Sequence, residues 1–417
     1  MRLLKIGVYY STYLEQFYAQ HPDIAGQSFS AQHAALMHDC FGSSDFWTAA
    51  LTTLGYQTCD TVANAEPLQK MWASEQGISF DPAKWLFDIS AAQIKSFQPD
   101  VLLVADYSTI TAEFLRHIKR VCPSIRLVLG WCGAPYHDGS VFSECDIVLS
   151  CVPELVTHFQ ESGHSSRHVN HAFDCRVLER IDASATPSSD FVFLGSIIKS
   201  DRFHISREKL LSRLVKETNL RIWSDLGSST SATPDTSDVA NREQTFANSG
   251  ASRWRRQVSS VPLIGAVARG ASRFISGGGN GPVLSPLTVD PQIVKRSEEP
   301  LFGLRMFQQL HDSRVALNTH IDISPINASN MRLFEATGVG SCLLTDWKAN
   351  LSELFEPDSE VVTYRDADEC IEKAKYLLAH ESERRSIAAA GQKRALRDHT
   401  FEHRAARIDS IIREALK

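Results

Sequence analysis

The chain has no run of apolar residues approaching the ~18 that a membrane-spanning helix needs, which argues against an integral span. It has no Cys-x-x-Cys pair, and its nine cysteines are scattered and odd in number. That excludes a disulfide framework and a zinc knuckle, and it fits a reducing compartment. There is no Gly-x-x-x-x-Gly-Lys-Ser/Thr loop and no Gly-x-Ser-x-Gly elbow, so NTPase and esterase readings lose their main support. Charge of one sign is also lacking: 43 basic residues face 49 acidic ones, for a net charge of −6 and a pI near 6.2. Such a balance gives no general attraction to nucleic acid. Behind Arg2 and Lys5 the first apolar run ends within about ten residues, short for a signal-peptide core. Cytoplasmic residence is the expectation.

What is present is enough for two cores. A length of 417 residues exceeds the ~250–300 at which one core stops growing. Hydrophobic content of 43% and charged content of 22% are those of a globular protein. Short apolar runs at Leu4 to Tyr10, Tyr56 to Val62, Asp100 to Ala105, Ile125 to Trp131 and Asp146 to Ser150 read as strands. Helical stretches separate them, such as Asp45 to Leu54, Thr111 to Val121 and Pro153 to Glu161. Strands alternating with helices predict a parallel sheet covered on both faces. The expected order is a first Rossmann-like unit over 1–172, a hinge over 173–189 and a second unit over 190–400. A last helix follows over 401–417. The second unit opens at Phe191 to Gly195 and continues through helix Ile205 to Thr218 and strand Leu220 to Trp223.

Residues 226–297 interrupt that unit with Ser, Thr, Gly, Asp and Pro, a composition that buries little and predicts a mobile insertion. Within it, Arg253 to Arg273 carries five arginines and no acidic residue. Trp254, Val258, Leu263, Ile264 and Phe274 are interleaved. Such interleaving suits an interfacial helix on anionic lipid, although Pro262 and Gly265 break it. A solvated surface helix is the alternative.

The most informative stretch is 327–346, Asn-Ala-Ser-Asn-Met-Arg-Leu-Phe-Glu-Ala-Thr-Gly-Val-Gly-Ser-Cys-Leu-Leu-Thr-Asp. It reads as a short helix capped by Asn330, closed by Gly338 and followed at once by a strand. Arg332 and Glu335, three apart, share one helix face. Cations and free N–H donors at a helix start suit a diphosphate, and a glutamate one turn on can accept two ribose hydroxyl protons. An ordinary β-α-β unit with a solvated Arg–Glu pair is the bland alternative.

This stretch resembles the nucleotide-binding helix of GT-B glycosyltransferases, and within them the spore-maturation CgeB-like group. The similarity continues through Leu354-Phe355-Glu356-Pro357 and Glu360-Val361-Val362-x-Tyr364. It ends at His399-Thr400-Phe401-x-His403-Arg404. The resemblance implies a GT-B fold, two Rossmann-like doubly wound domains facing a cleft, with the last helix crossing back to the first. It implies a hexosyltransferase-like enzyme that moves a sugar from a nucleotide-diphosphate donor to an acceptor hydroxyl, in surface polysaccharide or glycoconjugate assembly. The acceptor would be a glycan, a lipid-linked glycan or a protein. No metal or other cofactor is expected, because helix dipole and basic side chains neutralise the leaving group. A peripheral site at the inner face of the plasma membrane would follow if 253–274 anchors. A nucleotide-sugar epimerase and a non-catalytic sugar-nucleotide-binding coat protein are the alternatives.

On the donor side the candidates are Gly195, Ser196, Lys199 and Arg207 (with Arg202 beside them), then His320, Asn327, Asn330, Arg332 and Glu335. Arg207 matches the family position best. One departure matters. Where retaining members carry a first glutamate eight residues before Glu335, this chain has Asn327, which cannot carry negative charge beside an oxocarbenium ion. An inverting enzyme needs a base from the first unit instead. Asp106, His137 and Asp138 follow strands and are the main candidates, with His33 and Asp45 behind them. Each has a bland alternative as a turn or cap residue. Glu335→Gln is expected to weaken nucleotide binding while leaving the melting temperature nearly unchanged.

Overall fold

The computed structural model describes residues 1–136, 138–198, 204–226 and 288–417. His137, Lys199, Arg202 and the stretch 253–274 lie outside the described residues. Among the described residues, twelve strands form two sheets of six, and every pairing within them is parallel. The first sheet is β1 (Arg2–Gly7), β2 (Gln57–Val62), β3 (Val101–Val104), β4 (Leu127–Trp131), β5 (Ile147–Ser150) and β6 (Ser166–His168). Its order is β2-β1-β3-β4-β5-β6. The second is β7 (Ser189–Leu194), β8 (Arg221–Trp223), β9 (Ser297–Glu298), β10 (Ser313–Asn318), β11 (Cys342–Asp346) and β12 (Val362–Tyr364). Its order is β12-β11-β10-β7-β8-β9.

Parallel strands covered on both faces must be apolar almost throughout. Val101 to Val104, Phe191 to Leu194 and Val315 to Leu317 obey this, each at most 5% exposed. These are the runs that periodicity finds. The strands it misses are β6, Ser-Arg-His, β9, Ser-Glu, and β12, Val-Thr-Tyr, all short and at sheet edges. Helix Phe29–His38 was also not expected, though Ser28 caps it by accepting from the Ala31 N–H at 3.3 Å. Together the two sheets and their helices form the expected GT-B fold. Among the described residues no helix is long and apolar enough to cross a membrane.

Each sheet reverses its strand order once, between β1 and β3 and between β7 and β10. A ligand in an open α/β sheet sits outside the carboxyl ends of the strands at such a reversal. The fold therefore marks two places before any side chain is considered.

The motif helix spans Arg332–Gly338, and all its residues from Leu333 on are buried. Gly338 does not close it in a left-handed turn; Gly340 does, at φ +85°. Gly338 is needed for another reason: a Cβ there would sit 2.3 Å from the Phe173 ring. Phe173 in turn bonds His399 and Phe401 through its backbone, at 2.9 and 3.2 Å. The last helix, Phe401–Ala415, packs Phe401 against Phe46 and Trp47 of the first sheet's helix Phe46–Thr53, ring centroids 5.0 Å apart in both pairs. Tyr56 adds a hydrogen bond to Asp409 at 2.7 Å.

Candidate functional site

The carboxyl ends of β1, β3, β7 and β10 open on one cavity of about 370 Å³, so both strand-order reversals face the same space. A second cavity, about 360 Å³ and lined by Arg126, Asp146, Arg167 and Glu414, lies at the opposite ends of β4 and β5. It holds none of the motif residues.

From the second sheet, the first cavity gathers Gly195 and Ser196 after β7, Arg207, and Asn330, Arg332 and Glu335 around the motif helix. Arg207 projects from helix Ile205–Glu217 and is 8% exposed. Its Nη1 donates to the Ser196 carbonyl at 2.7 Å and lies 3.0 Å from His204 Nε2; its Nη2 donates to the Thr319 carbonyl at 2.9 Å. It thereby ties the loop after β7 to the end of β10. Its Nε is buried without a partner. Burial pushes the guanidinium down to about 10, so it stays cationic at neutral pH. Burial, with Arg207 beside it, takes His204 down to about 3 and leaves that ring neutral.

Arg332 and Glu335 do share a helix face, and they pair: Nη1 lies 2.8 Å from Oε2. Arg332 Nη1 also meets Met306 Sδ at 3.0 Å, and its Nε is buried without a partner. Glu335 is 6% exposed; burial raises its carboxyl and Arg332 opposes the rise. Asn330 is not the helix cap. Met331 holds that position with no side-chain bond, while Asn330 exchanges amide bonds with Asn318 at 2.6 and 3.2 Å. Asn318 also donates to Thr345 at 2.9 Å. The polar side chain that looks like a cap instead fastens the loop before the helix to β10 and β11.

His320 and Asn327 do not line the cavity. His320 is buried with Nδ1 2.7 Å from Asp346 Oδ1. Burial would raise the Asp346 carboxyl, but His320 and Lys348 hold it well below the usual carboxylate range. Lys348 lies 3.1 Å from Asp346 and donates to the Ser324 carbonyl at 2.8 Å, which pins the loop leading to Asn327. These residues brace the site from behind.

The expected base positions take turn, cap and ion-pair roles instead. Asp106 accepts from Ser108 Oγ and the Thr109 and Ile110 N–H groups, at 2.7, 2.7 and 3.0 Å. Asp138 is exposed and accepts twice from Ser140 at 2.8 Å. Asp45 pairs with Arg176 at 2.9 Å, and His33 Nε2 lies 3.0 Å from the Asp60 carbonyl. None of the four lines the cavity. An aspartate after a strand satisfies the free N–H groups of the next turn, and that demand is met here first.

The first-sheet wall is built by residues that belong to no sequence motif. Lys5 on β1 and Asp60 on β2 stand opposite each other in register and pair at 2.6 Å, both buried. Asp60 also accepts from Thr48. Tyr9 and Tyr10 follow β1 into the cavity. A lysine inside an apolar parallel strand was the available signal, because a buried charge needs a partner nearby.

The comparisons agree with this architecture. Residues 250–410 match a family model described as glycosyl transferase-like. The chain superposes on sucrose-phosphate synthase from Thermosynechococcus elongatus with a TM-score of 0.51 and 10% identity, covering 99% of this chain and 98% of that one. It superposes on Anabaena Alr3699/HepE, solved in complex with UDP-glucose, with a TM-score of 0.52 and 9% identity, covering 99% and 100%. No curated protein matches the chain in sequence. The chain is thus GT-B in fold and glycosyltransferase-like in its C-terminal part.

Proposed function

We propose that the chain is a glycosyltransferase that moves a sugar from a nucleoside-diphosphate donor to an acceptor hydroxyl. One observation carries the reading. Arg207, buried, and Arg332, partly buried, line one cavity at a strand-order reversal, each with a buried Nε that has no partner. Guanidinium groups held in place and short of acceptors suit a diphosphate, whose oxygens take paired N–H donors. Glu335 beside them suits the ribose hydroxyls. Catalysis would come from neutralising the leaving diphosphate and from holding donor and acceptor in line. HepE binds UDP-glucose, which supports a nucleotide sugar in this fold. The 327–346 motif and its continuation to Arg404 support a CgeB-like kinship. The nine free cysteines suit a reducing compartment.

Product analysis tests the reaction class. NMR of a nucleotide sugar with the protein alone should show little change beyond slow hydrolysis. Adding an acceptor should produce free nucleoside diphosphate and a new glycosidic linkage in equal amounts. Conversion of the donor sugar to its epimer without any acceptor would contradict transfer and favour an epimerase.

A further inference from the structure

The first-sheet wall of the cavity has a feature that donor binding does not use. Tyr10 is 64% exposed, well above the exposed Trp347 at 41%, yet it lies inside the cavity lining. It is held, not loose. Its ring meets Phe41 at 5.6 Å and Phe302 at 6.4 Å, both edge to face. Phe41 is stacked on Tyr13 at 3.8 Å. The preceding backbone is fastened by Asn64, which accepts from the Tyr9 N–H at 2.9 Å and donates to the Tyr9 carbonyl at 2.7 Å. Open to solvent, the ring belongs to the first-sheet wall of the cavity that Arg207, Arg332 and Glu335 also line.

The charges of this wall are already matched. Lys5 is held by Asp60 and by the Ser44 carbonyl, which leaves no spare cation for an anionic acceptor among the described residues of this wall. A polar group that remains at the lining is the half-buried, hydroxyl-bearing Ser43. An aromatic ring with a negative face attracts the weakly positive C–H face of a sugar, and nearby hydroxyl groups can take the sugar's own.

We propose that Tyr10 is the acceptor platform, seating a neutral sugar ring by its C–H face, with Ser43 meeting its hydroxyls. This rests on the cavity being a nucleotide-sugar transferase site. The ring chemistry is shared by a free glycan and by one carried on a lipid or protein.

Saturation-transfer NMR tests it, using methyl and octyl glycosides of common hexoses with the full chain and saturating UDP or GDP. The expected result is transfer to ring C–H protons of at least one methyl glycoside. That signal should fall at least fivefold in Tyr10→Ala and persist in Tyr10→Trp, while nucleotide affinity stays within twofold in both variants. Three results would overturn the platform with the nucleotide still bound: no glycoside responds, the Tyr10→Ala signal is undiminished, or only octyl chain protons respond. If neither UDP nor GDP binds the unmodified chain, the donor reading itself fails, and the platform with it.

Discussion

Glu335→Gln should weaken nucleoside-diphosphate binding at least tenfold and also lower the melting temperature by several degrees. The first effect follows from charge-assisted hydrogen bonds, each worth about 1.5–3 kcal/mol, that a carboxylate makes to ribose hydroxyls. The second follows from the ion pair. Arg332 lies 2.8 Å from Glu335 with both side chains largely buried, and removing one partner of such a pair costs up to about 3–5 kcal/mol. The sequence alone suggested a nearly unchanged melting temperature; burial reverses that expectation. The double variant Arg332→Gln with Glu335→Gln removes both charges. It should recover most of the lost stability without recovering nucleotide affinity. Calorimetry and thermal melts of the two variants check both halves. Native affinity for UDP and GDP in Glu335→Gln would remove the carboxylate from the donor site.

Arg207→Ala should cost at least tenfold in affinity for a nucleoside diphosphate and little for the matching nucleoside. The guanidinium is buried and cationic. It has no carboxylate pair among the described residues, so a phosphate is the charge it lacks. Its hydrogen bonds to the Ser196 and Thr319 carbonyls give it a second task, holding the loop after β7. Arg207→Lys keeps the charge but loses the fork that reaches two carbonyls and a phosphate together. It should therefore recover only part of the binding. Equal losses for diphosphate and nucleoside in Arg207→Ala would make the arginine a loop brace alone.

The legible parts of this protein are those where local chemistry and tertiary demand coincide. Phe191 to Leu194 and Val315 to Leu317 are apolar because both sheet faces are covered, so their strands could be read directly. Arg332 and Glu335 share a face by helix periodicity, and the structure pairs them. Other residues have local readings that long-range contacts override. Asn330 resembles a cap but is taken by Asn318, twelve residues away. Gly338 resembles a helix stop but makes room for Phe173. Asp106 follows a strand, as a base would, but its carboxylate is consumed by the next turn. The Lys5–Asp60 pair joins residues 55 apart in sequence. Only strand order brings them together, and no spacing rule could have shown it.

A nucleoside-diphosphate site at the two strand-order reversals should separate diphosphates from nucleosides in binding. Titration calorimetry of the unmodified chain with UDP and GDP, each beside its nucleoside, tests it most directly. Two guanidinium groups, each contributing about 1.5–3 kcal/mol to a phosphate contact, predict that one diphosphate binds at least a hundredfold tighter than its nucleoside. Binding of neither diphosphate, or equal binding of diphosphate and nucleoside, would contradict the account.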